Sequence, residues 1–369
     1  MVAGWLTTPR RLVAFRRKLL AWYRAHRRDL AWRHSRDPYH IWVSEIMLQQ
    51  TRVEQMGEYF ARFLRAFPTV QDLAGASEEQ VLKAWEGLGY YARARNLHKA
   101  AVQIAARGGQ LPDTYEGLLE LPGIGPYTAA AVSSIAFDRD HAVLDGNVER
   151  VLCRLLRVEE DPRKTAVKTA LIAAGEQLLA PGRAGDFNQA MMELGARVCT
   201  PVRPRCEECP VREGCRAFGE LEDPALLPRK SPRKARPHYQ VAAGLIWKKG
   251  RLLIAQRPSE GLLGGLWEFP GGKQEEGESL EECLVREIRE ELAVEIEVGV
   301  CLARVEHGFT HFRITLHAFG ARYLSGEPQA LGCAAWRWAR PGELGRYAFS
   351  RADRRVIEEL GLLHTGEKA

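Results

Sequence analysis

Four cysteines crowd into seventeen residues, Cys199, Cys206, Cys209 and Cys215, with the spacing C-x6-C-x2-C-x5-C. A disulfide framework belongs to secreted chains, and no apolar core or small-residue cleavage site follows the basic stretch Met1–Arg11, so we expect no secretory signal. The pattern points instead to a metal centre held by thiolates in a reducing compartment. Structural zinc usually takes paired C-x2-C knuckles, and only one such pair is present. Pro201, Pro204 and Pro210 shape the loop, while Arg203, Arg205, Arg212 and Arg216 make it basic. Cys153, Cys283, Cys301 and Cys333 are scattered singly, as core cysteines are.

A second stretch, Leu121 to Arg150, carries the features of a phosphate grip. Gly123 and Gly125 let the backbone turn tightly and approach a bulky partner. Pro126 suits the first position of a helix running through Tyr127 to Ile135. Such a helix start offers free N–H groups and a positive dipole end to a phosphate. A Pro-Gly turn between two core helices would read the same way locally.

Two carboxylates stand in opposite surroundings. In the helix expected over Ile41 to Gln50, apolar residues (Ile41, Trp42, Val43, Ile46, Met47, Leu48) take most of the circumference, which places Glu45 among hydrophobic neighbours. Burial without a cation raises a glutamate's pKa, and a carboxyl that keeps its proton near neutrality is a general acid. The alternative is an edge glutamate paired with Arg52. Asp145, by contrast, precedes the amphipathic run Val148, Val151, Leu152, Leu155 and Leu156, the position of a helix cap. Capping N–H groups and the helix dipole depress a carboxylate's pKa, so Asp145 is expected to be ionised. One protonated and one ionised acid divide the labour of cleaving a glycosidic bond. A purely structural cap is the alternative for Asp145.

The remaining chain sorts by composition. Val13 to Arg24 is a basic amphipathic helix, and Pro68 to Arg107 is mostly helical around Gly87-Leu88-Gly89-Tyr90, which suits either a wedge for a base stack or an ordinary turn. Leu221 opens a basic, proline-spaced linker through Pro237, expected to be extended and able to follow a phosphate backbone. Strands are expected over Val241–Trp247, Leu252–Arg257, Val294–Val300 and Phe312–Tyr323, with helices over Ser279–Leu292 and Arg351–Leu360. A formal net charge of +6 is compatible with an anionic partner, and no apolar run approaches the roughly 18 residues that cross a bilayer, so a membrane partner is not expected.

These motifs together resemble the adenine DNA glycosylases of MutY type, in the helix-hairpin-helix and endonuclease III superfamily. Leu121-Pro122-Gly123-x-Gly125-x-x-Thr128 is similar to the superfamily hairpin, Trp42 to Thr51 to the family signature around its catalytic glutamate, and the cysteine spacing to its [4Fe-4S] loop. The resemblance implies a multidomain fold: an all-α glycosylase domain over residues 1–220 (hairpin 118–137, cluster loop 199–215), a linker 221–238, and an α+β Nudix-like domain over 239–364. It implies catalysis by Glu45 and Asp145, with Tyr127 and Asn147 supporting Asp145. Arg33 and Glu193 are expected to contact a flipped adenine, and Gln50, Thr51, Leu88, Tyr90, Gly123 and Gly125 to contact DNA. Tyr127 replaces the lysine of lyase-competent relatives, so the resemblance implies a monofunctional enzyme. The implied partner is duplex DNA with adenine opposite 8-oxoguanine or guanine, met by a monomer in a bacterial cytoplasm at the nucleoid.

The C-terminal part resembles the family's lesion-reading domain, with Phe309-Thr310-His311 at the place of a Phe-Ser-His loop. Gly272, Glu278, Arg286, Glu287, Ile288, Glu290 and Glu291 also fit the Nudix hydrolase box, with Ala293 where glycine normally follows. Glu287, Glu290 and Glu291 are therefore candidate Mg²⁺ ligands. Two readings stand: a relic box in a domain that only recognises the lesion, its loop broken by Ala293, or a working nucleotide pyrophosphohydrolase.

Overall fold

A computed structural model of the chain describes residues 8–51, 53–232 and 235–363. Arg52, the alternative partner of Glu45, lies outside the described residues, as do most of Met1–Arg11, the linker residues Arg233 and Lys234, and His364. The chain forms two compact units, residues 1–71 with 99–233 and residues 72–98 with 234–369.

The first unit is helical. It contains α1 (Pro9–His26), α2 (Pro38–Leu48), α3 (Val53–Ala66), the start of α4 (Val70–Gly75), most of α6 (Ala92–Ala106), α7 (Tyr115–Leu119), α8 (Pro126–Phe137), α9 (Gly146–Leu156), α10 (Thr165–Leu178), α11 (Ala184–Arg197) and α12 (Arg216–Glu220). The expected basic helix is α1, which buries Phe15, Leu19, Leu20 and Tyr23 and exposes Arg10, Arg11, Arg17 and Arg24, while Arg16 Nε donates to Leu178 O at 3.0 Å. These side chains join Val151, Leu152, Leu155, Phe187, Met191 and Leu194 in one core. Burying a Leu or Phe side chain stabilises by roughly 1.5–3 kcal/mol, so the seam of α1, α9 and α11 is the main support of this unit. Gly195 brings α11 against the start of α9: a Cβ there would meet Asn147 Cβ at 2.7 Å and Asn147 O at 2.9 Å.

The expected tether is partly docked. Leu227 is buried, Arg229 pairs with Glu159 at 3.1 Å, Lys230 with Glu149 at 2.8 Å, and Ser231 bonds Asp161. Local acids on the helical unit thus hold basic residues that a linear reading leaves free for phosphates.

The second unit is α+β. Its mixed sheet has the order β3 (Trp267–Glu268), β2 (Arg251–Gln256), β1 (His238–Lys248), β6 (Arg313–Ser325), β5 (Glu295–Gly308), with β4 (Gly271–Lys273) on β1 and β7 (Ala335–Ala339) on β2. Strands β1 and β6 run parallel in the register Tyr239↔Ile314, and β5 pairs antiparallel with β6. One core gathers Leu245, Leu252, Phe349, Val356 and Ile357, the last two from α14 (Arg351–Glu359). Another gathers Ile246, Leu253, Cys283, Leu284 and Ile288, the last three from α13 (Leu280–Leu292). Residues 72–98, including α5 (Glu78–Ala84), belong here through specific bonds. Arg95 Nη1 donates to Gly264 O at 2.6 Å, Trp267 Nε1 to Glu79 Oε1 at 3.0 Å, and Tyr91 Oη to Phe349 O at 3.3 Å.

Candidate active site

Helix α2 is buried almost all round: Tyr39, Ile41, Trp42, Val43, Ser44, Glu45, Ile46 and Met47 are all covered. Asp37 caps it by accepting from the Tyr39 and His40 N–H groups, and Gln49 Nε2 at its far end donates to Thr128 Oγ1 of α8 at 3.0 Å. The hairpin forms as the sequence suggests. Pro126 opens α8, Gly125 is its cap, and Gly123 adopts φ 77°, a conformation that favours glycine. The two glycines are exposed, with their backbone available to a partner.

Across this frame Glu45 and Asp145 open on one cavity of about 1170 Å³, which Arg33, Tyr127, Asn147 and Glu193 also line. Gln50, Thr51, Gly123 and Gly125 lie on the same wall. Burial pushes the Glu45 carboxyl up to about 7; a 2.7 Å bond donated by Tyr127 Oη pulls against this, the Asp145 charge adds to it, and Arg33 opposes it. Tyr127 therefore supports Glu45, whereas the resemblance placed it on Asp145. Its phenol is raised well above its ordinary value by burial and by both carboxylates.

Asp145 is the N-cap of α9, accepting from Asn147 N at 3.0 Å, Val148 N at 2.7 Å and Asn147 Nδ2 at 3.1 Å. The capping geometry is as expected; the direction of its pKa is not. Burial raises Asp145 above the ordinary carboxylate value in spite of the Val148 and Asn147 bonds and the Arg150 charge. The cap faces a cavity wall rather than open water, and desolvation there outweighs the cap. With three donors on Asp145 and one on Glu45, the ionised form still settles more easily on Asp145.

Glu193 of α11 is fully buried and bonded to two guanidinium groups, Arg33 Nη2 and Arg28 Nε, each at 2.8 Å. Burial would raise it, but the bonds from Arg28 and Arg33 prevail and hold it at about 2. Nothing local in the sequence marks Arg28, whose partner is 165 residues away.

In the second unit Tyr90 stands 45% exposed at φ 49°, while Leu88 is buried. Only Tyr90 of this pair presents an open tip. The Thr310 hydroxyl donates to Tyr90 Oη at 3.1 Å. Phe309 stacks on Phe312 at 4.7 Å, and Thr310 and His311 are exposed in the turn between β5 and β6. Ala293 does not break the Nudix loop. It closes α13 in a left-handed conformation at φ 54°, with its N–H on Arg289 O. Arg286 is shared by Glu278, Glu287 and Glu290 at 2.7, 3.0 and 3.3 Å, and burial pushes Glu291 up to about 7. Among the described residues no three His, Cys, Asp or Glu side chains group to hold a metal ion by themselves. One or two carboxylates with water and phosphate suffice for Mg²⁺, so Glu287, Glu290 and Glu291 stand as candidate ligands.

The four loop cysteines are free thiols within electrostatic reach of one another. Burial raises the Cys209 and Cys215 thiols, and the neighbouring sulfurs of the set add to both. Four sulfurs within electrostatic reach of one another, with the Arg154 guanidinium 3.4 Å from Cys199 Sγ, are a donor set that suits an iron–sulfur centre, and Cys199, Cys206, Cys209 and Cys215 would hold it.

Residues 43–175 match the HhH-GPD superfamily of base excision DNA repair proteins, residues 199–215 the iron–sulfur binding domain of endonuclease III, and residues 242–359 the NUDIX domain. An adenine DNA glycosylase of Homo sapiens is 37% identical over 402 residues, covering 94% of this chain and 74% of that protein. One of Schizosaccharomyces pombe is 33% identical over 374 residues, covering 83% and 81%. Among solved structures, a thermostable thymine-DNA glycosylase superposes with a TM-score of 0.51 at 29% identity, over 56% of this chain and 96% of that one. The likeness to adenine DNA glycosylases runs along nearly the whole length, through the helical domain, the iron–sulfur motif and the Nudix-like domain, and the chain belongs to that family of base excision repair enzymes, which hydrolyse the N-glycosidic bond of adenine in DNA.

Proposed function

We propose that the enzyme removes adenine opposite 8-oxoguanine or guanine in duplex DNA, as a monomer in the cytoplasm, by a monofunctional mechanism. The observation that carries the reading is the shared cavity of Glu45 and Asp145, in which burial holds Glu45 at about 7. A mispaired base leaves the stack at the lowest cost, and the cavity has room for a nucleoside. The Arg33–Glu193 pair supplies a donor and an acceptor beside it for the adenine edge. Glu45 gives its proton to a ring nitrogen, and the C1′–N bond breaks with its electron pair going to the base. Asp145 stabilises the cationic sugar, water adds to C1′, and the released proton returns to Glu45. Asn147 orients Asp145, and Tyr127 orients Glu45.

Tyr127 cannot form a Schiff base, which supports hydrolysis without strand cleavage. Among the described residues Lys168 is the only lysine on the cavity wall. The exposed backbone of Gly123 and Gly125 grips a phosphate, with Gln50 and Thr51 beside the opposite strand. Tyr90, joined to Thr310, wedges the stack, with Leu88 packed beneath, while Phe309, Thr310 and His311 read the 8-oxoguanine. The loop centre is a [4Fe-4S] cluster that braces the basic residues around it.

The test is a substrate panel with 8-oxoguanine·adenine, guanine·adenine and thymine·adenine duplexes. Abasic sites are expected from the first two and not from the third, with no borohydride-trapped adduct. Trapping that disappears in Lys168→Ala, or equal cleavage of thymine·adenine, would overturn the reading. Removing the Tyr90–Thr310 bond by Thr310→Val should lower the preference for 8-oxoguanine over guanine several-fold, and Thr310→Ser should keep it.

A further inference from the structure

Arg154 on α9 is only 1% exposed, a guanidinium enclosed within the helical unit. Its nitrogens are well supplied with acceptors. Nε donates to Leu227 O at 2.9 Å, Nη1 to Thr200 O at 2.7 Å, and Nη2 to Pro201 O at 3.0 Å. Carbonyls satisfy hydrogen bonds but do not cancel a charge. An ion taken out of water without a counterion costs several kcal/mol even after relaxation. Among the described residues no carboxylate forms an ion pair with Arg154. Glu149, the acid on the same helix, is paired with Lys230 at 2.8 Å. Arg150, one turn away, is a second cation, its Nε donating to Cys199 O at 2.7 Å. The local excess is therefore positive.

The atom left to compensate Arg154 is Cys199 Sγ, which accepts from Nη1 at 3.4 Å. A neutral thiol would leave the guanidinium uncompensated. A thiolate belonging to a set of four around iron and sulfide would not, because four thiolates carry more negative charge than the inorganic core returns. We propose that Arg154 is the buried counterion of the iron–sulfur centre: it sets the electrostatic potential at Cys199 and ties the start of the cysteine loop, Thr200–Pro201, and Leu227 of the linker to α9. Arg154 is a positioning residue, touching neither DNA nor the reacting bond. This inference rests on the iron–sulfur reading of the loop.

The test uses the full chain purified with its centre, as parent, Arg154→Gln and Arg154→Lys, and reads the midpoint potential and the rate of iron release to a chelator. Loss of a nearby cation favours the oxidised state. The Gln variant should therefore shift the oxidised-to-reduced ratio about tenfold, about 59 mV to the negative for one electron, and release iron at least about tenfold faster. The Lys variant keeps the charge and should hold the parental potential, although it loses the fork of carbonyl bonds. A Gln variant with parental potential and release rate overturns the proposal, as does a Lys variant displaced as far as the Gln variant. Should the Gln variant not accumulate folded, the Lys variant decides alone: a midpoint potential about 59 mV or more below the parent's overturns the proposal. Absence of iron and sulfide from the parent protein would instead refute the iron–sulfur reading itself.

Discussion

Tyr127 Oη donates to Glu45 Oε2 at 2.7 Å, joining the first turn of the hairpin helix to a carboxyl buried among the apolar residues of α2. The bond opposes the desolvation that raises Glu45, so Tyr127 moderates the acidity of the residue assigned to protonate adenine.

Removing that moderation should be visible in a pH profile. Single-turnover excision by the parent should fall as pH rises through about 7, where Glu45 loses its proton. In Tyr127→Phe the ionised form loses a donor, so the falling limb should move to higher pH. A limb that stays in place, or moves down, would show that another group controls the rate.

The same carboxyl burdens the fold. Its folded pKa of about 7 exceeds its ordinary 4.5. Its contribution to stability is thus fully present below 4.5 and is lost as pH rises through 7, by about 3 kcal/mol. Glu45→Gln should raise the urea midpoint above pH 7, and the gain should close as pH falls toward 4.5. A variant less stable than the parent at every pH would contradict this.

Glu193 behaves oppositely, being fully buried and held at about 2 by Arg28 and Arg33. Arg28→Met and Arg33→Met should each destabilise by about 1–3 kcal/mol above pH 4.5, because a buried carboxylate loses a partner. Arg33→Met should in addition raise the dissociation constant for a duplex bearing a non-cleavable adenine analogue more than Arg28→Met does. Equal effects on binding would remove Arg33 from the adenine pocket.

Ala293 closes α13 at φ 54°, where an L side chain is strained. Ala293→Gly should stabilise the protein by about 0.5–1 kcal/mol, offset in part by greater freedom of the unfolded chain. Thermal melting would read this as a higher Tm; a lower Tm would mean that the cap is unstrained.

The features legible in the sequence were those written in local pattern. The apolar residues on every side of α2 announced a buried Glu45, Pro126 announced the start of α8, and Asp145-Gly146-Asn147 announced a cap. What escaped depends on distant neighbours. A cap by itself lowers the pKa of Asp145, and the cavity wall that desolvates the carboxyl and reverses the direction is built from distant residues. Arg28 carries no local mark, because Glu193 reaches it only when α11 packs against α1. Strands β3 and β4, of two and three residues, are too short for periodicity, and residues 72–98 carry no local mark of the unit they join.

The central claim is that a protonated Glu45 and an ionised Asp145 act on one bond. It is tested most directly by comparing binding and single-turnover excision on an 8-oxoguanine·adenine duplex for the parent, Glu45→Gln and Asp145→Asn. The account predicts duplex affinity within a few-fold of the parent and excision slower by about 10²–10⁴-fold in each variant. Excision at the parental rate by either variant would contradict it.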